Sequence, residues 1–158
     1  MKVRLVLLLV AACAAALAQR SAGYVYAAPG AVVDGGPAVA TLQFGVGGEG
    51  VVGKGFTLGA DIGAVGPREE LIYSLGVFSP GVYYHFVRGT RARFDPFVSG
   101  GYTLMFRGDH ASFAHAGAGF NYWFRPRLAL RVEVRDQFRP DYGRVAHFAG
   151  VRIGVSFR

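Results

Sequence analysis

The sequence contains a single cysteine, Cys13, and only two lysines, Lys2 and Lys54, among its 158 residues. A lone cysteine cannot form an internal disulfide, so a disulfide framework is excluded. The net charge of +7 comes mainly from arginines scattered through the chain, and no run of five or more basic residues occurs. Because nucleic-acid binding requires basic residues clustered on one face, we expect no nucleic-acid partner.

Beyond its N-terminal region the sequence also lacks a long apolar run, although 52% of its residues are hydrophobic and its mean hydropathy is +0.31. A membrane-spanning helix needs about 20 predominantly apolar residues, so none is expected in the mature chain. The apolar residues are instead dispersed in alternation with small or polar ones. The length is that of one domain, sufficient for a packed core or a small closed barrel.

Residues 1–18 have the organisation of a secretory signal peptide, which leaves one domain at 19–158. Lys2 and Arg4 form a short basic region, an apolar stretch follows, and Ala16-Leu17-Ala18 supplies a small-x-small cleavage pattern. This arrangement predicts export and a mature chain that begins near residue 19.

Two alternatives apply to the same segment. It can remain attached as an N-terminal membrane anchor, or it can be processed as a lipoprotein signal, because Val10-Ala-Ala-Cys13 resembles the lipobox of bacterial lipoproteins. Cys13 comes early for a lipobox, and the apolar stretch continues past it. Removal of the whole segment is therefore the prediction, and it leaves a mature chain without cysteine.

The mature chain alternates apolar residues with small or polar ones at a period of two, which is the period of an extended strand. Glycines and β-branched residues are scattered throughout, and no segment has a convincing helical period. Turn residues divide the chain into eight predicted strands, at residues 22–28, 38–50, 55–65, 71–86, 94–106, 113–124, 128–138 and 145–157.

Residues 128–135, LALRVEVR, show the alternation most clearly. Leucines and valines occupy one face, and the opposite face carries Arg131, Glu133 and Arg135. In a soluble sandwich or barrel the apolar face would form the core, whereas in a membrane barrel it would contact lipid and the charges would point inward. This segment alone is compatible with both arrangements.

The non-apolar face of the other strands favours the membrane barrel. A soluble surface is usually rich in lysine and glutamate, whereas the lumen of an eight-stranded barrel needs small residues interleaved with a few charges. Here that face is rich in glycine, at positions 45, 47, 59, 63, 76, 101, 117, 119, 150 and 154. We therefore predict an all-β fold, an eight-stranded antiparallel up-and-down transmembrane β-barrel preceded by a signal peptide.

In this barrel three acids and three bases face the lumen. A buried charge persists only when it is paired and hydrogen-bonded, since each unpaired ion costs several kcal/mol. The equal numbers therefore predict a structural cluster of ion pairs that fills the interior, formed by Glu49, Asp61, Arg131, Glu133, Arg135 and Arg152.

Two finer predictions concern the apolar face. The alternation of the fourth strand changes phase at Ser79-Pro80-Gly81, which predicts a β-bulge there. Its outward residues are Tyr73, Leu75 and Val77 before this point and Val82, Tyr84 and Phe86 after it. Aromatic residues near the strand ends predict interfacial belts. One belt comprises Tyr83, Tyr84, Phe86, Phe94, Tyr122, Trp123 and Phe124, although the alternation places Trp123 on the inward face, and the other comprises Phe106, Phe113, Phe138 and Tyr142.

Two glycine-rich segments match phosphate-binding patterns in part. Residues 45–50 satisfy G-x-G-x-x-G, and residues 48–55 nearly satisfy the P-loop pattern. Both motifs require a helix directly after the loop, because its N-terminal amides hold the phosphate. Residues 56–62 alternate as a strand instead, and Gly55 stands where a P-loop has serine or threonine. We expect no nucleotide site.

Catalytic and metal-binding patterns are also missing. The four histidines lack metal-ligand spacing, and no serine lies in a G-x-S-x-G motif. The sequence therefore predicts a non-enzymatic protein with no catalytic residue, no cofactor and no metal ion. A barrel enzyme that assembles its site from distant strands stays an alternative.

The segment Gly117-Ala-Gly-Phe-Asn-Tyr-Trp-Phe124, followed by residues 128–136, resembles the bacterial outer-membrane β-barrel family that includes OmpA-type transmembrane domains. The resemblance extends loosely over residues 22–157, with Phe157 as a near-terminal aromatic. It implies a barrel in the cell outer membrane with both termini in the periplasm. Its implied partners are outer-membrane lipids and, through the C-terminal strand, the barrel-assembly machinery, and its implied state is a monomer.

The chain departs from that family in three ways. Arg158 follows the terminal aromatic, the predicted surface loops at 29–37, 66–70, 107–112 and 139–144 are short, and no peptidoglycan-binding domain follows. The expected role is therefore structural, in envelope integrity or surface interaction, with at most a narrow pore. The alternative is a soluble periplasmic lipocalin-like barrel that binds a small hydrophobic ligand.

Overall fold

The computed structural model describes residues 21–69, 74–87, 92–107, 109–141 and 144–158, with backbone only at 109, 140, 141 and 144. None of these residues belongs to a helix long and apolar enough to cross a membrane. They form eight strands: β1 (Ser21–Val33), β2 (Val39–Gly53), β3 (Phe56–Pro67), β4 (Leu75–His85), β5 (Phe94–Arg107), β6 (Asp109–Arg125), β7 (Leu128–Asp141) and β8 (Arg144–Phe157). The predicted signal peptide, residues 1–18, lies outside the described residues.

The eight strands form one closed barrel in which each strand pairs antiparallel with its neighbours in sequence. The ring closes between the first and last strands, where the register runs from Gly23 opposite Phe157 to Val33 opposite His147. Closure pairs every strand on both sides, so the sheet has no free edge. The predicted eight-stranded antiparallel up-and-down barrel is confirmed.

The connections between strands lie at the two ends of the barrel. We call the end that carries Ser21 and Phe157 the terminal end, and the opposite end the distal end. Strands extend further toward the distal end than predicted: β1 continues through Pro29 to Val33, and β6 begins at Asp109. The distal connections are 34–38, 68–74, 108 and 142–143. The second is longer than the predicted loop, because β4 begins at Leu75 rather than at residue 71, and the other three are shorter.

Side chains alternate between the lumen and the outer surface as the sequence predicted for β6, β7 and β8. In β7, Arg131, Glu133 and Arg135 are buried, whereas Leu130 and Val134 are 39% and 59% exposed on the outer surface. In β8, Arg152 is buried between the outward-facing Val151 and Ile153. The apolar rows therefore surround the barrel, and the charged rows lie inside it.

The predicted phase change in β4 is wrong. The register of β4 with β3 is continuous from Leu75 to Tyr84, including Ser79 opposite Asp61, so no bulge forms at residues 79–81. Leu75 and Val77 lie on the lumen side, and Gly76 lies on the outer surface, contrary to prediction. Tyr73 is outside the described residues. The apolar side chains turn inward here because the lumen near the distal end holds an apolar cluster, formed by Val65, Val77, Met105 and Phe113.

The predicted aromatic belts are correct only in part. Tyr83, Trp123 and Phe113 point into the lumen, and Tyr142 is outside the described residues. Trp123 thus follows the alternation of β6 rather than the belt. The other predicted members lie on the outer surface near the strand ends, namely Tyr84, Phe86, Phe94, Phe106, Tyr122, Phe124 and Phe138.

Glycines on the lumen face make room for two tyrosines of β1. A Cβ atom at Gly47 would lie 2.5 Å from the ring of Tyr24, and one at Gly45 would lie 2.8 Å from the hydroxyl of Tyr26. At Gly154 a Cβ atom would overlap the backbone carbonyl of Val25. These glycines therefore let large side chains and neighbouring strands approach each other in a narrow interior.

We predict that Gly154→Ala lowers the free energy of unfolding by about 1–3 kcal/mol, because the new methyl group forces the β8–β1 backbones apart. Gly100→Ala is the matched control, since a Cβ atom there would have its nearest neighbour 3.7 Å away. It should change stability by less than about 0.5 kcal/mol. Urea unfolding of the refolded barrel measures both values, and equal stability of the two variants would contradict the packing argument.

Candidate functional site

The structure places all six predicted lumen charges inside the barrel and brings them into one network. Glu49 is 6% exposed and the other five are 1–3% exposed. They come from four strands: Glu49 from β2, Asp61 from β3, three residues from β7 and Arg152 from β8. Alternation in each strand turns them toward the axis, so residues far apart in sequence meet there.

Asp61 is the acceptor in the part of the network nearer the distal end. Its carboxylate receives hydrogen bonds from Nη1 of Arg135 at 3.1 Å and from Nη1 of Arg152 at 3.0 Å. The hydroxyl of Tyr26 donates to the other carboxylate oxygen at 2.9 Å. Two arginines thus pair with one aspartate, so a second acid is needed to balance their charge.

Glu133 supplies that charge and links the two halves of the network. Its Oε1 accepts from Nε of Arg135 at 2.8 Å and from the hydroxyl of Ser99 at 2.8 Å. Its Oε2 lies 3.8 Å from Nη2 of Arg131, within ion-pair distance. Glu133 therefore lies between two arginines of its own strand.

Glu49 is the acceptor in the part nearer the terminal end. It receives hydrogen bonds from Nη1 of Arg131 at 2.7 Å and from the hydroxyl of Thr57 at 2.6 Å. The ring of His85 lies between two acids, with Nε2 3.0 Å from Glu49 and Nδ1 2.9 Å from Asp95. His85 and Asp95 extend the ion-pair network to the barrel rim.

Aromatic rings enclose the arginines. The guanidinium of Arg131 lies 4.4 Å from the ring centre of Tyr24 and 4.2 Å from that of Phe97, and Arg152 lies 4.2 Å from that of Tyr26. Cation–π contacts of this kind are stronger when the cation is shielded from water. The aromatic side chains of the lumen are therefore part of the charge network and fill the space between its members.

Sequence reasoning missed these aromatic residues. Tyr24 and Tyr26 lie in β1, where both faces are apolar and the alternation has no contrast to show which face is inward. Tyr83 is a predicted belt residue, but its hydroxyl contacts that of Tyr24 at 3.1 Å and accepts a hydrogen bond from Nη2 of Arg135 at 3.1 Å. Tyr83 shares one face of β4 with Ser79 and Gly81, and these small residues could have indicated that it faces the lumen.

Neutral polar side chains complete the filling of the lumen. Gln137 donates to Gln43 at 3.0 Å, and Gln43 donates to the hydroxyl of Tyr26 at 3.0 Å. The cavity beside Arg135 and Arg152 measures about 10 Å³, room for about one water molecule. Across the described residues no group of three histidine, cysteine or acidic side chains is arranged to hold a metal ion.

Solved structures with the same fold are bacterial and designed membrane barrels. Neisserial surface protein A matches with a TM-score of 0.70 at 12% identity, over 87% of this chain and 96% of that chain. The N-terminal β-barrel domain of Pseudomonas aeruginosa OprF matches at 0.56 and 16% identity, over 85% and 97%. A de novo designed transmembrane β-barrel matches at 0.53 and 21% identity, over 86% and 93%.

These similarities show the fold alone, because a designed barrel shares it with the natural proteins. No protein-family model matches the sequence, and no curated protein matches it significantly. The chain therefore has the fold of eight-stranded outer-membrane barrels at identities too low to transfer any particular activity.

We predict that Glu133→Lys destabilises the barrel by about 3–5 kcal/mol or prevents folding, because it adds a third cation beside Arg131 and Arg135. Glu133→Gln should lose less, since it removes the charge without reversing it. Glu69→Lys, an equal charge reversal at an exposed distal position, is the control and should change stability by less than about 0.5 kcal/mol. An unchanged melting temperature for Glu133→Lys would refute the assignment of this network as a determinant of stability.

Proposed function

We propose that the protein is a non-enzymatic barrel of the bacterial outer membrane, with a structural role in the envelope or in surface interaction. The observation that carries the proposal is the distribution of apolar side chains. Large hydrophobic residues lie exposed on the outer surface of all eight strands, including Tyr102 at 66%, Ile62 at 56% and Val134 at 59%. A water-soluble protein rarely exposes a continuous apolar surface of this extent.

Most charged side chains of the strands lie in the lumen, whereas the apolar side chains lie outside, and this supports lipid as the outer environment. A backbone in lipid must satisfy all its hydrogen bonds internally, which a closed barrel achieves. On β7 the outward row is apolar from Leu128 to Val134 and is interrupted at Asp136, which pairs with His147 of β8 at 2.7 Å, before Phe138 follows. This half-exposed ion pair lies near the distal end of the apolar surface, as expected where a membrane meets water.

The filled lumen argues against a diffusion pore and against a ligand-binding cavity. Eight strands leave an interior just wide enough for side chains, and here arginines, acids and tyrosines occupy it. Such an interior opposes free diffusion of solutes. It equally opposes the lipocalin-like alternative, which needs an apolar cavity where this barrel has ion pairs.

Export, orientation and assembly belong to the same proposal. Cleavage near residue 19 would leave β1 to begin at the terminal end, and that end would face the periplasm. The C-terminal strand, which carries Phe157 on its outer face, would engage the barrel-assembly machinery. The expected partners are outer-membrane lipids, and the expected state is a monomer.

We expect the protein to fractionate with outer membranes and to need detergent for extraction. An unboiled sample should migrate differently from a boiled one on a denaturing gel, because a closed barrel resists the detergent until it is heated. Extraction into aqueous buffer without detergent would favour a soluble barrel and contradict the proposal.

In planar bilayers the reconstituted protein should form no large, stable channels, because the ion pairs around Asp61 and Glu133 fill the lumen. A barrel refolded with Glu133→Gln serves as a comparison in which the network is weakened. Large stable conductance from the unaltered protein would contradict the filled interior and would indicate a diffusion pore.

A further inference from the structure

Five basic residues are exposed in the described part of the terminal end: Arg158, which follows β8, and four residues at the three connections between strands there. Lys54 lies in the β2–β3 turn, Arg93 precedes β5, and Arg125 and Arg127 flank the β6–β7 turn. Among the described residues, no ion pair joins any of these four to an acid. They present positive charge to whatever surrounds that rim.

No exposed acid balances this charge in the described part of the terminal end. The two acids near it, Glu49 and Asp95, turn toward the lumen and contact His85. The exposed acids with described side chains lie toward the distal end, at Asp34 and Glu69. Among the described residues, the distal end carries exposed charges of both signs, since Arg68 and Arg107 also lie there, whereas the exposed charged side chains of the terminal end are all basic.

Aromatic side chains lie immediately beside the basic turns on the outer surface. Phe56 and Tyr84 have ring centres 4.8 Å apart, Tyr84 and Phe86 5.1 Å apart, and Phe94 and Phe120 5.1 Å apart. Aromatic rings concentrate at the headgroup level of a bilayer. Their position places the four basic side chains at the depth of the lipid phosphates or just outside it.

The turn that carries two of the arginines is tied to the end of the barrel wall. The backbone amide of Arg158 donates to the carbonyl of Arg127 at 3.3 Å, and its side chain donates to the carbonyl of Pro126 at 3.1 Å. The guanidinium of Arg158 also stacks 3.9 Å from the ring centre of Trp123. The β6–β7 turn is thus held against β8, which fixes the height of Arg125 and Arg127.

We propose that this basic rim, formed by Lys54, Arg93, Arg125 and Arg127, binds the headgroups of anionic phospholipids in the leaflet at the terminal end. The inference rests on the proposed insertion of the barrel in a membrane. Each basic residue near an anionic membrane surface contributes an attraction equivalent to about a fivefold preference. Several basic residues beside the same leaflet therefore select a negatively charged lipid shell.

The test measures lipid selectivity of the reconstituted protein by electron paramagnetic resonance. Spin-labelled phosphatidylglycerol and spin-labelled phosphatidylcholine serve as probes in phosphatidylcholine vesicles. We expect the unaltered protein to prefer phosphatidylglycerol by about fivefold or more at low salt. The preference should fall severalfold at about 1 M salt, where the Debye length is about 3 Å.

Two double variants distinguish the effect of the basic rim from the effect of the total charge of the protein. Arg125→Gln/Arg127→Gln should lower the preference at least about threefold. Arg68→Gln/Arg107→Gln removes the same charge from exposed positions at the distal end and should lower it much less. The quadruple variant, in which Lys54→Gln and Arg93→Gln are added, should associate with the two lipids about equally.

Insertion itself is monitored separately, by the migration of boiled and unboiled samples after reconstitution in phosphatidylcholine alone. Failure to insert would overturn the proposed function. Successful insertion with equal association of the two lipids, or an equal effect of the two double variants, would overturn the lipid site alone. If the quadruple variant kept the preference for phosphatidylglycerol, the lipid site would also be overturned, because the selectivity would then arise elsewhere in the barrel.

Discussion

The ion pairing of Asp61 and Glu133 with the arginines of β7 and β8 is the constraint on which the rest of this structure depends. Arg135 contacts both acids, and Arg152 and Arg131 each contact one of them. A buried guanidinium without its acid would cost several kcal/mol. The pairs of Asp61 with Arg135 and Arg152 join β3 to β7 and β8, which are distant in sequence, so these pairs require the complete ring. Because most of the charges are paired inside the barrel, the outer surface can be largely apolar.

The small residues follow from the same constraint. An arginine, its acid and the tyrosines that stack on it need more room than eight strands with large side chains would leave. Gly45, Gly47 and Gly154 provide that room opposite Tyr24 and Tyr26. The glycine-rich face is therefore the complement of the large polar and aromatic side chains, and the two sets must be considered together.

The sequence predicted the parts of this fold in which the two faces of a strand differ strongly. In β7 the contrast between leucine or valine and charge identifies the inward phase and thus Arg131, Glu133 and Arg135. The small-residue faces of β2, β3 and β8 identify the other three predicted lumen charges, whereas His85 and Asp95 were not predicted as members of the network. In β1 and β4 the contrast is weak, because Tyr24, Leu75 and Val77 are inward residues that pattern alone assigns to either face. The apolar cluster at the distal end and the partners of Tyr83 depend on which strands become neighbours across the lumen, which periodicity does not specify.

The pairing of β1 with β8 gives the barrel an unusual dependence on its last residues. Gly23 lies opposite Phe157, more than a hundred positions later in the chain, so the final seam joins the most distant contacts that this topology allows. Non-local contacts of this kind slow folding, because chain entropy is lost before the contacts form. Until the last strand arrives, two rows of unpaired backbone groups would face hydrocarbon, which lipid does not tolerate. β8 must therefore be synthesised before the ring can close, and a chain interrupted within β8 would be left as an open, aggregation-prone sheet.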